Sequence, residues 1–208
     1  MVVFVDVDTQ NDFMNDGGAL YVPKAEFIKP VLKQLTDYAV ENNILVLATA
    51  DCHYGHEEEF RVNGGPFPFH CMMRQPGADK IPETTIAGAL DIPTDCAYDA
   101  TPTKGQLIFQ KQCYDVFAKT GGNDDFEKIF ERIGETDVVV YGVATDYCVK
   151  AAVLGLLDTK GVGEVFLVID AIMGVDVEEG DSVKALGDMI RAGALTCVAP
   201  QVTSGKIK

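Results

Sequence analysis

The 208-residue chain has no apolar run that reaches the ~18 residues of a membrane-spanning helix. It is also poor in positive charge. Seventeen Lys and Arg stand against 32 Asp and Glu, for a net charge of −15. Nucleic acid and anionic membranes are bound through basic patches, so neither is an expected partner. The chain has no CxxC pair. Its six cysteines (Cys52, Cys71, Cys96, Cys113, Cys148 and Cys197) are spread through a chain that is no small loop-rich scaffold. They read as free thiols in a reducing cytosol. The opening, Met1 to Asp6, is too short and too quickly acidic for a signal peptide, which agrees with a cytoplasmic location. There is no internal repeat and no low-complexity tract.

What is present is an alternation. Apolar, β-rich runs recur at residues 2–7, 44–48, 107–109, 138–143, 165–169 and 196–198. Most are continuous rather than alternating, as in strands buried on both faces. Between them lie helical patterns: Phe27, Val31, Leu35 and Tyr38; Phe126, Ile129, Phe130 and Ile133; Val183, Leu186, Met189 and Ile190. The expected fold is α/β, a Rossmann-like, doubly wound, mostly parallel six-stranded sheet with helices on both faces. One domain spanning 1–208 is expected, broken by a long loop region at about 51–106. That region holds all three histidines (His53, His56 and His70) and several aromatics, which favours an ordered, functional loop.

Cys148 carries the most information. It follows the 138–143 run and Gly142, and precedes a helical face with Val149, Ala152, Val153 and Leu156. This reads as strand, tight turn and helix, with the thiol in the first helical turn. Free N–H groups and the positive end of the helix dipole favour a thiolate there, and so a nucleophile. Parallel sheets place sites at the carboxyl ends of their strands. Asp8 and Lys111 also stand near such ends. Lys111 can lower the thiol pKa by charge, and Asp8 can take its proton and return it to a leaving amine. Taken singly, each has a plainer reading: a turn-forming Asp, a solvated Lys, a small buried Cys.

Two further groups stand out. Asp51 and His53, with the more distant His70, offer three O/N ligands to a divalent metal. His56 and Cys71 are alternatives by proximity, and satisfied loop histidines fit the bare Asp-x-His pattern as well. Phe13, Phe67, Phe69 and Tyr114 are aromatics on candidate site loops, placed either to sandwich a flat ring or to fill a core.

Together these residues resemble the isochorismatase-like cysteine hydrolases, and within them the nicotinamidases, over almost the whole chain. The opening Val-Asp-x-Gln-x-Asp-Phe is present as Val7 to Phe13, and Gly-Val-Ala-Thr-Asp-Tyr-Cys-Val as Gly142 to Val149. Asp-x-His followed by Gly-Gly-Pro-x-Pro-x-His-Cys is similar to the nicotinamidase metal arm. Departures are Cys52 between the ligands, Tyr54 after His53, Phe67 where the family more often has Trp, and altered order in Tyr114-Asp115-Val116-Phe117.

The resemblance implies a triad of Asp8, Lys111 and Cys148. It implies a cis peptide bond between Val143 and Ala144, with an oxyanion hole from the Ala144 and Cys148 amides. It also implies one divalent metal on Asp51, His53 and His70, with zinc preferred over iron or manganese. Phe13, Phe67 and Tyr114 would line the substrate site, with Phe13 and Phe67 flanking a ring whose nitrogen the metal holds. The expected activity is hydrolysis of nicotinamide to nicotinate and ammonia through a cysteine thioester, opened by a metal-held or Asp8-activated water. The alternatives are another small-amide hydrolase, acting on an N-carbamoyl or maleamate-type substrate, and a non-catalytic small-molecule binder. A homo-oligomer is expected from the same likeness.

Overall fold

The computed structural model describes residues 1–207. Seven strands form one sheet: β1 (Val2–Val7), β2 (Leu45–Asp51), β3 (Leu90–Ile92), β4 (Gly105–Lys111), β5 (Thr136–Val143), β6 (Val162–Met173) and β7 (Leu195–Cys197). Their order is β3-β4-β2-β1-β5-β6-β7, and every pairing is parallel. The count corrects the expected six. The added strand, β3, is a three-residue edge inside the long 51–106 segment, and its Leu90 and Asp91 are exposed. So short and open a strand carries no continuous apolar run.

Six α-helices cover the two faces: α1 (Asn11–Met14), α2 (Lys29–Glu41), α3 (Asp124–Ile133), α4 (Lys150–Asp158), α5 (Asp181–Ala192) and α6 (Ala199–Thr203). The alternation of side chains along a strand divides the core. Val3, Val5 and Val7 of β1 face α3, α4 and α5, while Phe4 faces α1, α2 and α6. On the first face Phe126 of α3 meets Phe109 of β4 edge-on, with ring centroids 5.3 Å apart. Each such buried ring contributes about 1.5–3 kcal/mol.

The helical faces differ in part from the sequence pattern. α3 buries Phe126, Ile129 and Phe130 as expected, and Asn123 caps it by accepting from the Asp125 N–H. α2 instead buries Leu32, Leu35, Thr36 and Ala39, while Phe27 is 70% exposed. Phe27 belongs to a 3₁₀ turn, Ala25–Ile28, whose tighter winding puts it out of phase with the helix that follows. α5 docks through Ala185 and Met189, leaving Val183 and Ile190 exposed.

The 51–106 segment is tied down by buried polar contacts. Lys80 Nζ lies 2.8 Å from Asp6 Oδ2, with both side chains buried, and donates to Thr9 Oγ1 at 2.7 Å. The Ile81 N–H donates to the Thr9 carbonyl, and the Gln106 side chain bonds Thr84 and Ile86. The chain leaves β1 towards β2 on one side and β5 towards β6 on the other. The β1/β5 boundary is therefore the point where the winding reverses, and there the carboxyl ends open a crevice. Among the described residues no helix is long and apolar enough to cross a membrane.

Candidate active site

The carboxyl ends of β4, β2, β1 and β5 lie side by side, and each delivers one functional group: Lys111, Asp51, Asp8 and Cys148. Two backbone features allow this closeness. Gly142 (φ +122°) pairs with Val7 so tightly that a Cβ would strike the Val7 carbonyl oxygen. Asp8 itself takes a left-handed conformation (φ +49°), which is costly for a non-glycine residue and turns its carboxylate inward. Thr49 Oγ1 donates to Asp8 Oδ1 at 2.6 Å. The Gln10 side chain holds Asp51 at both backbone groups: its Nε2 donates to the Asp51 carbonyl at 2.8 Å, and its Oε1 accepts the Asp51 N–H at 2.7 Å.

Lys111 is the hub. Its buried ammonium lies 2.7 Å from Asp8 Oδ2, donates to Asp51 Oδ1 and to the Cys113 carbonyl (3.1 Å), and sits 3.9 Å from Cys148 Sγ. Burial disfavours its charge, but the Asp51 and Asp8 carboxylates outweigh burial and hold its pKa well above the usual lysine value. For Asp8, burial raises the pKa, Lys111 opposes and Asp51 adds to the rise; the net direction is up.

Cys148 corrects one expectation. It lies in a π-helical turn, Thr145–Val149, ahead of α4 rather than in the first turn of an α-helix. Burial pushes its thiol well above the ordinary range. Lys111 pulls it down, and the Asp8 and Asp51 charges and a hydrogen bond to Asp8 push it up again. Desolvation and the two carboxylates outweigh Lys111. The Val143–Ala144 peptide bond is cis, as the resemblance implied.

The second group adjoins the first through Asp51. Its Oδ1 meets Lys111, while its Oδ2 lies 3.7 Å from His53 Nε2 and 3.5 Å from His70 Nε2. Asp51, His53 and His70 have one donor atom each within 4.8 Å of one another. Glu59 stands beside the two imidazoles, with Oε1 3.3 Å from His53 Nε2 and 3.4 Å from His70 Nε2. These separations exceed hydrogen bonds. They match the edge of about 3.4 Å expected for a tetrahedron of donors with bonds of about 2.1 Å to a central ion. Both ring nitrogens of His53 are buried without a hydrogen-bond partner. His70 gives Nδ1 to the Pro68 carbonyl (2.9 Å), which leaves Nε2 for the centre, and the Glu57 carboxylate stands 3.8 Å behind His53 Nδ1. Asp8 and Asp51 share one lysine, and Glu57 and Glu59 add carboxylates beside the imidazoles, a surplus of negative charge that a divalent cation would offset. The donor set thus fits a divalent metal. His56 and Cys71 stand apart from it. His56 stacks on Tyr54 at an exposed position, and Cys71 turns its thiol towards the Gly77 carbonyl.

A largely apolar cavity of about 490 Å³ opens onto both groups. The sequence-derived Phe13, Phe67, Tyr114, Val143, Ala144, Cys148, Asp51 and His70 all line it, while Asp8, Lys111 and His53 are buried behind its wall. Phe13 and Phe67 stand 5.5 and 6.1 Å from the His70 ring. Sequence reasoning missed Glu59, Tyr147, Val175 and Val177. Glu59 sits in the acidic run Glu57-Glu58-Glu59, which reads as a solvated face, and the two valines lie nearly thirty residues beyond Cys148.

A model of the isochorismatase domain matches residues 2–200. The nicotinamidase of Escherichia coli is 31% identical over 207 residues, covering 90% of each chain. The nicotinamidase/pyrazinamidase of Mycobacterium tuberculosis is 27% identical over 165 residues, 72% of this chain and 75% of that one. Among solved structures, the pyrazinamidase of Pyrococcus horikoshii in complex with zinc superimposes with a TM-score of 0.74 at 32% identity, covering 94% of this chain and 98% of that chain. Sheet order, strand-end chemistry and these likenesses agree: the chain belongs to the isochorismatase family of hydrolases.

Proposed function

We propose that this chain is a cysteine amidohydrolase that converts nicotinamide to nicotinate and ammonia. The observation that carries the reading is one apolar cavity lined by Cys148 and by Asp51 and His70 of the Asp51–His53–His70 group, with His53 directly behind them. A flat ring carrying a carboxamide and a ring nitrogen has the two chemistries that such a cavity would address. The similarity to nicotinamidases at about 30% identity supports it.

In the proposed reaction Asp8 accepts the thiol proton as Cys148 Sγ attacks the amide carbon. A base with a raised pKa is suited to this, because it accepts the proton and later gives it up near neutral pH. Lys111 stabilises the charge developing on sulfur. The Ala144 and Cys148 amides, on the cavity wall, receive the oxyanion. Asp8 returns the proton to departing ammonia, leaving a thioester on Cys148. Asp8 then takes a proton from a water that attacks the thioester carbon, and the released thiolate recovers that proton from Asp8. Phe13 and Phe67 flank the ring. Asp51, His53, His70 and Glu59 would hold one divalent metal, preferably zinc, which when bound supplies a Lewis acid for the ring nitrogen.

Ammonia release from nicotinamide and pyrazinamide is expected to exceed that from aliphatic amides at least about tenfold, and to fall at least about tenfold after chelation, recovering on addition of zinc. Turnover of N-carbamoyl compounds or maleamate but not of nicotinamide would overturn the substrate. Glu59→Gln is expected to weaken zinc binding by about tenfold or more in chelator competition with the metal-free protein. An unchanged affinity places Glu59 outside the coordination shell.

A further inference from the structure

Behind one wall of the cavity lies a contact that the reaction does not use. After β6 the chain runs through Gly174, Val175, Asp176 and Val177 before α5 begins, and Val175 and Val177 line the cavity. Val175 packs half-buried against the core, but Val177 is 71% exposed, so side-chain packing does little to fix that end of the wall. Its backbone is fixed instead. The Val175 N–H donates to Asp146 Oδ1 at 2.9 Å, and the next N–H, that of Asp176, donates to Oδ2 of the same carboxylate at 2.8 Å. Asp146 stands two residues before Cys148, in the same π-helical turn.

The neighbouring geometry is built around this contact. Asp176 takes a left-handed φ of +52°, and its own carboxylate accepts the Ser182 N–H at 2.7 Å, at the start of α5. A Cβ on Gly174 would collide with Ser182 Oγ and lie 3.0 Å from Asp146 Oδ1, so the strand end leaves no room for a side chain beside α5 and little beside Asp146. Hydrogen bonds from consecutive N–H groups to one carboxylate are charge-assisted and fix both distance and direction.

We propose that Asp146 is a positioning residue for specificity: it locks the 174–177 wall to the nucleophile turn and so sets the width of the cavity beside Cys148. This rests on the amidase reading for its substrate, but not for the clamp itself. Asp146 touches neither the amide nor the Cys148–Asp8–Lys111 group. It acts through the position of Val175 and Val177. Asparagine at 146 keeps one acceptor and presents an NH₂ to the second N–H.

Three measurements on Asp146→Asn test the proposal. KM for nicotinamide is expected to rise about tenfold with kcat within about twofold, the signature of lost ground-state fit. Hydrogen exchange at the Val175 and Asp176 amides is expected to accelerate at least about tenfold. Alkylation of Cys148 by iodoacetamide is expected to keep its rate, because that reagent needs the sulfur and not the wall. Gly174→Ala, which displaces the wall while leaving Asp146 in place, should raise KM in the same way and serves if Asp146→Asn does not fold. Unchanged exchange at 175 and 176 overturns the clamp. Faster exchange with unchanged KM, or a fall in kcat alone, overturns its role in fit. If the wild-type protein leaves nicotinamide intact, the substrate reading fails separately, and the exchange and alkylation measurements still decide the clamp.

Discussion

Replacing Cys148 by alanine is expected to lower amide hydrolysis by on the order of 10⁴-fold or more, since no second thiol is among the residues lining the cavity to form the thioester. The fold should survive. Cys148 is buried at the margin of the core beneath α3, α4 and α5, and losing one sulfur there costs about 1 kcal/mol. Asp8→Asn should give a loss of similar order, because asparagine cannot accept the thiol proton. Cys113→Ala, whose thiol faces the Asp115 and Thr120 carbonyls, should stay near wild type. Full activity in Cys148→Ala would show that the nucleophile lies elsewhere. The protonation state is open to an independent test. A thiol held above its ordinary pKa by burial should alkylate about tenfold faster per pH unit between pH 6 and 8, whereas a preformed thiolate would react at a flat rate. Mapping the modified peptide separates Cys148 from the other five cysteines.

That expectation also marks where sequence reasoning stopped. The strand ends were legible because β1, β2 and β5 are mostly continuous apolar runs and β4 holds Leu107, Ile108 and Phe109 in succession, and continuity signals burial on both faces. Once those four strands lie in one parallel sheet, Asp8, Asp51, Lys111 and Cys148 are brought to one edge. The electrostatic balance there was not legible. The helix terminus favours thiolate at Cys148, but burial and two facing carboxylates, which no sequence pattern displays, act against it. The link between the two constellations was equally hidden, because it runs through opposite oxygens of Asp51, one to Lys111 and one to the imidazoles. Glu59 was concealed for a different reason. In a run of three glutamates nothing in the pattern distinguishes Glu57 and Glu59, which fold inward beside His53, from the exposed Glu58 between them. The edge strand β3 and the phase of α2 failed on a third ground. Three residues are too few for a period, and a 3₁₀ turn at Ala25–Ile28 shifts the apolar stripe before the α-helix starts.

Lys111 offers the largest expected effect on stability. Its side chain is buried, and its ammonium stands between the Asp8 and Asp51 carboxylates, both of them buried too. In Lys111→Met the volume is roughly kept but two carboxylates remain without their counter-ion. Removing one partner from a buried ion pair costs about 3–5 kcal/mol. For a chain of this size that corresponds to a fall in Tm of roughly 6–20 °C. Metal-free protein should show the full effect, and zinc should restore part of it, because an ion on Asp51 would supply some of the missing positive charge. The double variant Lys111→Met/Asp8→Asn separates the ion pair from simple repacking. Removing one negative charge relieves the carboxylate repulsion, so the double variant should be more stable than the sum of the two single losses predicts, by about 1–3 kcal/mol in denaturant titration. Additive losses would mean that Lys111 and Asp8 do not share their charge in the folded state. In that case the lysine would serve Cys148 and Asp51 alone.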